Sequence, residues 1–538
     1  ITGTIRPTTN PLYETFAFTL PSGTRWRYVT TRLDVNINSK NRLEFTQNHN
    51  KLFATPYDTT NGLSPAFPGF PNWGVQGSNR FNGSLTLRST LTPRLVNEVR
   101  TGVSGGATQF SPNINMGMFA SSGVGNMDGY ALSISGAGIS NPYVLSTASR
   151  RNAPSKVIDE TLSWSKGSHS LSFGVSWSKY DVWYYAQRMV TSISLGTDST
   201  YDPARLMFDT VNGPKNFPGA NSSQLSAARD MYGVLVGRVT SIGGTAYIGE
   251  DNKYHYQGNS VNRGYYQETG FYVQDSWRMK PNLTLTYGVR WQLSLPFVPG
   301  NSNYSTATIA DIWGISGIGN MFKPGTMTGK APEFIQYKKG THSYANQYTN
   351  FAPSFGFAYT MNRRGGLLGR LVGEGGKTVI RGGYSIAYSR MGMGTFLDQY
   401  SGNPGQSLTA SRNVSLGNLV SGVGTDQWPI LFRERNRLNP APFPESPTFP
   451  LIPTSLCSPQ PCGYVETASM NIFDPNIKMP YAQSWTFGIQ RELTRSMVVE
   501  VRYVGTRSLH QWVGYNLNST ENNILENGVM EEFWRWRI

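Results

Sequence analysis

The connections of this chain alternate between very short and very long, and few folds tolerate that. Between segments of alternating polar and apolar residues, the short links are Asn38-Ser39-Lys40, Leu91-Thr92-Pro93-Arg94, Lys166-Gly167-Ser168, Met279-Lys280-Pro281 and Glu492-Leu493-Thr494-Arg495-Ser496. The long links span residues 51–78, 106–156, 185–263, 297–349 and 391–480. A soluble β-protein has no reason to sort its turns in this way. A barrel that crosses an outer membrane has one, because its short turns face the periplasm and its long loops face outward. The pattern predicts placement in a membrane, with recognition carried by the long loops.

The segments themselves have a period of two. In 171–178, Leu171, Phe173, Val175 and Trp177 alternate with Ser172, Gly174, Ser176 and Ser178. In 283–291, Leu283, Leu285, Tyr287, Val289 and Trp291 alternate with Thr284, Thr286, Gly288 and Arg290. Residues 485–490 and 499–503 repeat the pattern. Such alternation predicts strands with one bulky apolar face and one small or polar face. About twelve strands are predicted, as hairpins 25–37 with 41–49, 79–90 with 95–105, 157–165 with 169–184, 264–278 with 282–295, 350–360 with 377–390 and 481–491 with 497–506. Many exceed the roughly 9–11 residues that cross a bilayer, whereas strands of soluble proteins average about 5–6. The Gly-rich, basic link 361–376 is longer than the other short turns and reads as a flexible periplasmic loop.

Composition removes rival classes. No run approaches the roughly 18 apolar residues of a transmembrane helix, and mean hydropathy is −0.37. A helical membrane protein is excluded, but a barrel is not, because lipid-facing and lumen-facing residues average out. The 29 Tyr, 26 Phe and 13 Trp suit aromatic girdles. The formal charge of +15 (47 Lys and Arg less 32 Asp and Glu) comes without a basic run longer than Arg363-Arg364. No nucleic-acid motif accompanies it, so no nucleic-acid partner is expected. The cations read as spread over loops, turns and a polar lumen, with a lumen that attracts anionic ligands as an intermediate reading.

The motifs of catalysis fail on context. Gly102-Val103-Ser104-Gly105-Gly106 fits a nucleophile elbow formally, but its serine ends a strand and enters a loop rather than a helix. Gly375-Gly376-Lys377-Thr378 lacks the first glycine of a phosphate loop, since Leu371 stands there, and a strand follows it. Carboxylates are dispersed and no metal-ligand spacing occurs, so no enzyme activity, cofactor or metal is expected. Cys457 and Cys462 are a candidate loop disulfide for an oxidising compartment. A metal site would need further ligands, and His49, His169, His255, His342 and His510 lie away from them in sequence. Trp183, Tyr184, Tyr185, Tyr254 and Tyr256 are the candidate ligand-binding residues, able to stack on a sugar or a flat chelate. Equally, such rings form an interfacial girdle or pack loops together. The chain opens at Ile1 without a signal peptide. Export requires one, so Ile1 is not expected to be the N-terminus of the gene product.

Several strand segments carry a family resemblance. They are Thr90–Arg100 (TLTPRLVNEVR), Glu268–Trp277 (ETGFYVQDSW), Asn350–Tyr359 (NFAPSFGFAY), Gly376–Tyr384 (GKTVIRGGY), Pro480–Trp485 (PYAQSW) and Val501–Arg507 (VRYVGTR). As a set, scattered over most of residues 25–507, they resemble the barrel of TonB-dependent outer-membrane receptors, specifically the Oar-like branch. The resemblance implies a plug domain inside a barrel of about 22 strands. It also implies a TonB box that engages the TonB-ExbB-ExbD energy-transducing complex. The sequence departs from the whole pattern: it shows no plug, no TonB box, no N-terminal regulatory-like domain and about twelve strands. It ends in Trp534-Arg535-Trp536-Arg537-Ile538 without the terminal aromatic of a last barrel strand, and Glu526–Phe533 resembles a stretch that precedes further strands.

The expectation is an all-β fold, a transmembrane antiparallel β-barrel with long extracellular loops. Residues 1–538 form one partial barrel domain, an internal fragment of a larger barrel. The expected function is a TonB-dependent transporter barrel in the outer membrane of a Gram-negative-type bacterium. It would take a bulky nutrient (oligosaccharide, peptide or metal chelate) into the periplasm. Its partners would be outer-membrane lipid, that nutrient and the energy-transducing complex, reached through a TonB box missing from this chain. The alternatives are a structural or adhesive outer-membrane barrel without energised transport, and a secreted soluble glycan-binding β-protein.

Overall fold

The computed structural model describes residues 3–9, 14–19, 23–54, 74–112, 130–134, 147–188, 190–200, 202–320, 327–338, 341–361, 376–414, 416, 418–419, 429–452, 465–466, 469–517, 519 and 534–536. Twelve long strands dominate: β1 (Thr24–Asn36), β2 (Asn41–Ala54), β3 (Gly74–Thr92), β4 (Leu95–Pro112), β5 (Ser155–Lys166), β6 (His169–Arg188), β7 (Asn259–Lys280), β8 (Leu283–Ser294), β9 (Gln347–Met361), β10 (Thr378–Tyr388), β11 (Tyr481–Thr494) and β12 (Met497–Leu509). They pair antiparallel in chain order from β1 to β12 within one fourteen-stranded sheet. The other two members are Thr147–Asn152, which bridges β4 and β6 beyond the end of β5, and the two-residue strand Val298–Pro299. All six expected hairpins are present. Several strands run past the expected limits, β7 to 22 residues. A further hairpin, Gly3–Pro7 with Glu14–Phe18, stands apart from the main sheet and was not expected from the sequence.

Register puts the bulky residues in rows on one face. Val175, Phe271, Trp291 and Phe351 are successive partners across β6 to β9. Their neighbours in the next row are Phe173, Val273, Val289 and Pro353. The rings touch, with Phe271–Trp291 and Trp291–Phe351 centroids both 5.9 Å apart. Yet Phe271 is 43% and Phe351 52% exposed. A continuous ring-bearing face of this extent is not stable against water.

Among the described residues of the twelve strands, three acids stand on this face and all have partners, Asp181 lying 3.2 Å from Lys179. Glu160 accepts from Asn97 Nδ2 at 2.6 Å. Asp275 accepts from Tyr287 Oη at 2.9 Å and lies 2.6 Å from His169 Nδ1. Acids inside an apolar row are tolerated because side chains on adjacent strands reach them.

Where they are described, the connections 106–156, 185–263, 297–349 and 391–480 contain strands and helices of their own. Residues 130–133 pair in parallel with 191–195, which pairs with 239–243 and through it with 412–413. A second small sheet joins 254–256, 245–248, 407–409 and 465–466. Together these tie three long connections into a cap. The helix Ser222–Val236 belongs to it, begun by a capping box of Asn221 and Gln224 and ended by Gly237 at φ 74°. Ser104 of the rejected nucleophile motif lies within β4, its Oγ 2.7 Å from Ser155 Oγ. Cys457, Cys462 and residues 362–375 lie outside the described residues.

Candidate functional site: a charged wall beneath a folded cap

The opposite face of the sheet is polar and laddered with charge. Arg32 and Asp34 on β1 meet Arg42 and Glu44 on β2: Arg32 lies 2.9 Å from Asp34 and 3.6 Å from Glu44, and Arg42 lies 3.0 Å from Glu44 and 3.4 Å from Asp34. Further along, Glu98 pairs with Arg100 and Glu500 with Arg502. Residues two apart on a strand share a face, so alternating signs at that spacing make each ladder self-neutralising. Exposed pairs of this kind add little to stability, because water screens them. Their consequence is therefore a wall that stays wet and holds charge.

Small residues let large ones lie flat on this wall. The Arg290 guanidinium crosses Gly270, where a Cβ would stand 2.1 Å from Nη2, and donates to Ser176 Oγ at 2.5 Å. Its Nε donates to Gln292 at 2.8 Å. Beside it lies a polar hollow of about 270 Å³ lined by Asp159, Ser178 and Glu268 among others. Gly270→Val is expected to expel Arg290 and to lower stability by about 1–3 kcal/mol. The thermal midpoint in detergent checks this, and an unchanged midpoint would contradict the packing.

The cap sits on the polar face. Val182 and Tyr266, from β6 and β7, join a cluster of Phe297, Tyr304, Tyr337, Tyr344, Phe396, Tyr400 and Phe473. Phe297 lies directly over Gly264. A second core holds Ile193, Val239, Ile242, Leu419, Ile430 and Leu438. Buried polar groups lock the cap. Asp202, fully buried, receives two hydrogen bonds from Arg238, at 2.8 and 2.7 Å. Asn403 donates to the carbonyls of Ser305 at 2.9 Å and Asn471 at 2.8 Å, and accepts from the Asn471 N–H at 2.7 Å.

Titration in the cap follows from the same packing. Burial pushes the Tyr304, Tyr344 and Tyr400 hydroxyls up, so they stay neutral. Asp311 is pushed up by burial but pulled down further by Thr308, whose hydroxyl and N–H donate to it, with help from the Glu333 N–H and Lys330. The net shift is downward. Its contribution is therefore present above the unfolded carboxyl value of about 3.9 and is lost as pH falls through the lower folded value. Hydrogen-exchange protection of the helix Ile309–Trp313 is expected to decline with Asp311 protonation below about pH 4. An Asp311→Asn variant should lack that part of the acid response.

Residues 3–531 match the family model described as an outer membrane beta barrel domain. The chain belongs to that family. The apolar face of the barrel is the lipid face, the polar face lines the lumen, and the protein resides in the outer membrane. The copper transporter OprC is a similar solved structure, with 8% identity over 88% of this chain and 44% of that one and a TM-score of 0.38. The ferric yersiniabactin uptake receptor FyuA from Yersinia pestis has 9% identity over 94% and 48%, with a TM-score of 0.37. The alcaligin receptor FauA from Bordetella pertussis has 8% identity over 90% and 53%, with a TM-score of 0.34. The chain spans about half the length of these proteins. No curated protein is significantly similar to it.

The barrel separates the aromatic residues singled out from the sequence. Trp183 and Tyr185 fall on the lipid face beyond the apolar rows, Trp183 beneath the Arg150 guanidinium at 5.5 Å. Tyr184 falls on the lumenal face, with Arg151 5.5 Å from its ring centre. Tyr254 is buried in the cap and donates to the Gly405 carbonyl at 2.8 Å. Tyr256 packs against Phe443, its hydroxyl 3.1 Å from Thr191 Oγ1. Sequence reading put Arg290 on the polar face of its strand but passed over Arg151 and Arg80 as lumenal groups. Their odd spacing from the apolar residues of the same strand, as Arg80 beside Phe81, was the available signal.

Proposed function

We propose that the protein is the barrel of an energised outer-membrane importer of the Oar-like, TonB-dependent kind. It moves a bulky nutrient (oligosaccharide, peptide or metal chelate) into the periplasm. The observation that carries this reading is the combination of a charge-laddered lumen with a folded cap packed on the lumenal face. A cap over a wet wall suits capture followed by gated passage. The strand segments that resemble TonB-dependent receptors supply the energy source, the TonB-ExbB-ExbD complex. Among the described residues, β1 and β12 each pair on one side only. Unpaired backbone groups in lipid cost several kcal/mol each, so on this reading the twelve strands are part of a larger wall that further strands close around a plug.

Of the five aromatic candidates, Tyr184 with Arg151 lies on the route a ligand takes, and we assign the first ligand contact to that pair. Tyr184→Ala is expected to weaken capture by about threefold to thirtyfold, the range for a ring stacked with a cation. Equilibrium binding to whole cells measures it, and unchanged capture would remove Tyr184 from the route.

Uptake of labelled oligosaccharides, peptides and metal chelates into cells with and without the gene tests the function. Loss of one class in the disrupted strain, and collapse of wild-type uptake with a protonophore, is the expected result. Surface binding that persists without any uptake would instead favour an adhesive barrel.

A further inference from the structure

The polar hollow beside Arg290 has a regular frame. Asp159, Ser176, Gly270, Gln292 and Asn350 are successive cross-strand partners from β5 to β9. The next row toward the cap reads Val157, Ser178, Glu268 and Ser294. Ser176 and Ser178 therefore form a low floor on β6, with Asp159 on β5 and Glu268 on β7 to either side. Strands two apart in a sheet lie about 10 Å from one another, and the two acids line one hollow between them.

Among the described residues neither carboxylate accepts a hydrogen bond or forms an ion pair. Arg290, which also lines the hollow, donates to Ser176 and Gln292 instead. Arg390 is held over the Tyr180 ring at 3.9 Å and pairs with neither acid. Neutral groups beside the acids are unpartnered as well. Ser294, the cross-strand partner of Glu268, is 3% exposed, and Asn350, the partner of Gln292, is 6% exposed. Ser294 Oγ and Asn350 Nδ2 have no hydrogen-bond partner among the described residues. Carboxylates drawn partly out of water favour a cationic partner.

The geometry favours an organic cation over a metal ion. Hard metal ions gather about six or more oxygens in one shell, and among the described residues no three His, Cys, Asp or Glu side chains converge. Two acids set this far apart suit a wide, flat donor, and a guanidinium presents its N–H groups in a planar fork. The hollow also leads into a groove. This groove, of about 420 Å³, shares Arg290 and Gln292 with the hollow and crosses β7 to β10 over Gly288, Ala352, Ser354 and Ala387. Small residues there leave room for an extended chain. The Gln274 and Gln292 amides offer donors and acceptors to its N–H and C=O groups. A neutral oligosaccharide would leave both acids unpaired.

We propose that hollow and groove together bind a basic peptide, with its guanidinium or ammonium between Asp159 and Glu268 and its backbone along the groove. Resting on the importer reading above, this site narrows the cargo to one of three classes. Arg290 stands at the junction and takes a backbone carbonyl, while Tyr180 bounds the far end of the hollow.

Equilibrium binding of two fluorescent tetrapeptides to the protein extracted from outer membranes tests this. The peptides are identical except that one carries arginine and the other citrulline, its neutral isostere. The wild type is expected to bind the arginine form at least about tenfold more tightly, as charge-assisted hydrogen bonds to two carboxylates require. Asp159→Asn/Glu268→Gln should bind both forms alike. Ser354→Leu, which fills the groove without altering charge, should weaken both. Glu333→Gln/Glu445→Gln, an equal charge change at exposed positions of the cap, should keep the wild-type preference. Equal binding of the two peptides by the wild type, or binding of neither, would overturn the proposal. So would an equal loss of preference in the exposed-acid variant, which would mark a general attraction of cations. The first two outcomes are read on the wild type alone, so they decide the question even where a variant fails to fold. Uptake into cells scores the importer reading separately. Uptake of another cargo class without any arginine preference would overturn this site and leave the importer, whereas the preference without uptake would keep the site and remove the importer.

Discussion

Replacing Phe297 with alanine is expected to release the cap from the barrel while the barrel itself stays folded. Phe297 is fully buried, stacks on Phe396 at 5.3 Å and Tyr400 at 6.1 Å, and meets Tyr304 edge-on at 6.4 Å. It is also the ring that rests on Gly264 of β7, so it joins the cap core to the wall. Truncation of a buried Phe costs about 3–5 kcal/mol. That is a large share of what a folded region of this size holds. The barrel draws its stability from ladder hydrogen bonds and lipid contact, neither of which Phe297 supplies. Limited proteolysis of intact cells should therefore cut the variant faster than the wild type within 297–320 or 391–413. Its heat-modifiable migration on gels should not change. Loss of migration and protease resistance together would mean that the cap is needed to fold the wall. Unchanged protease resistance would mean that the aromatic cluster does not hold the cap.

The wall and the cap differ in how much of them the chain announces. Each wall strand pairs with its neighbour in sequence, so period-two alternation and one short turn define a hairpin without long-range information. The lipid and lumenal faces were legible for the same reason: Leu171, Phe173, Val175 and Trp177 declare one face and Ser172, Gly174, Ser176 and Ser178 the other. Cap strands are only two to five residues long, too short for a period to register. They also pair across great sequence distance, as Ser241 does with Asn413. One signal was present and passed over, the Asn221 to Gln224 capping box with Gly237 at the far end. Tyr254 shows why the site was harder to read than the fold. A Tyr-His-Tyr run looks alike whether it faces a ligand or a neighbouring loop, and only its contact with Gly405, 151 residues away, distinguishes them. The acids on the lipid face are similar. Asp275 breaks an apolar row in the sequence, and its partners His169 and Tyr287 come from the two adjoining strands.

The second large effect is expected at Arg238. Its guanidinium is the charge partner of Asp202, which has no exposure to solvent and also accepts from the Ala204 N–H at 2.8 Å to start the turn of helix Pro203–Phe208. Burial works against the Arg238 charge, and the bonds to Asp202 overcome it and raise its pKa. Arg238→Met keeps much of the side-chain volume but leaves a buried carboxylate without its cation. Breaking a buried pair from one side costs about 3–5 kcal/mol, because the remaining charge is uncompensated. Arg238 also joins the helix Ser222–Val236 to the strand at 239–243, through its N–H to the Gly233 carbonyl at 2.8 Å. The loss should therefore unfold that half of the cap first. Asp202→Asn/Arg238→Met should recover most of the loss. The asparagine can still accept from the Ala204 N–H, and no charge remains buried. Hydrogen exchange across 202–243 reads the outcome directly. A double variant as unstable as the single one would show that Arg238 acts through packing rather than through charge. A single variant as protected as wild type would show that Asp202 finds water or another donor once Arg238 is gone.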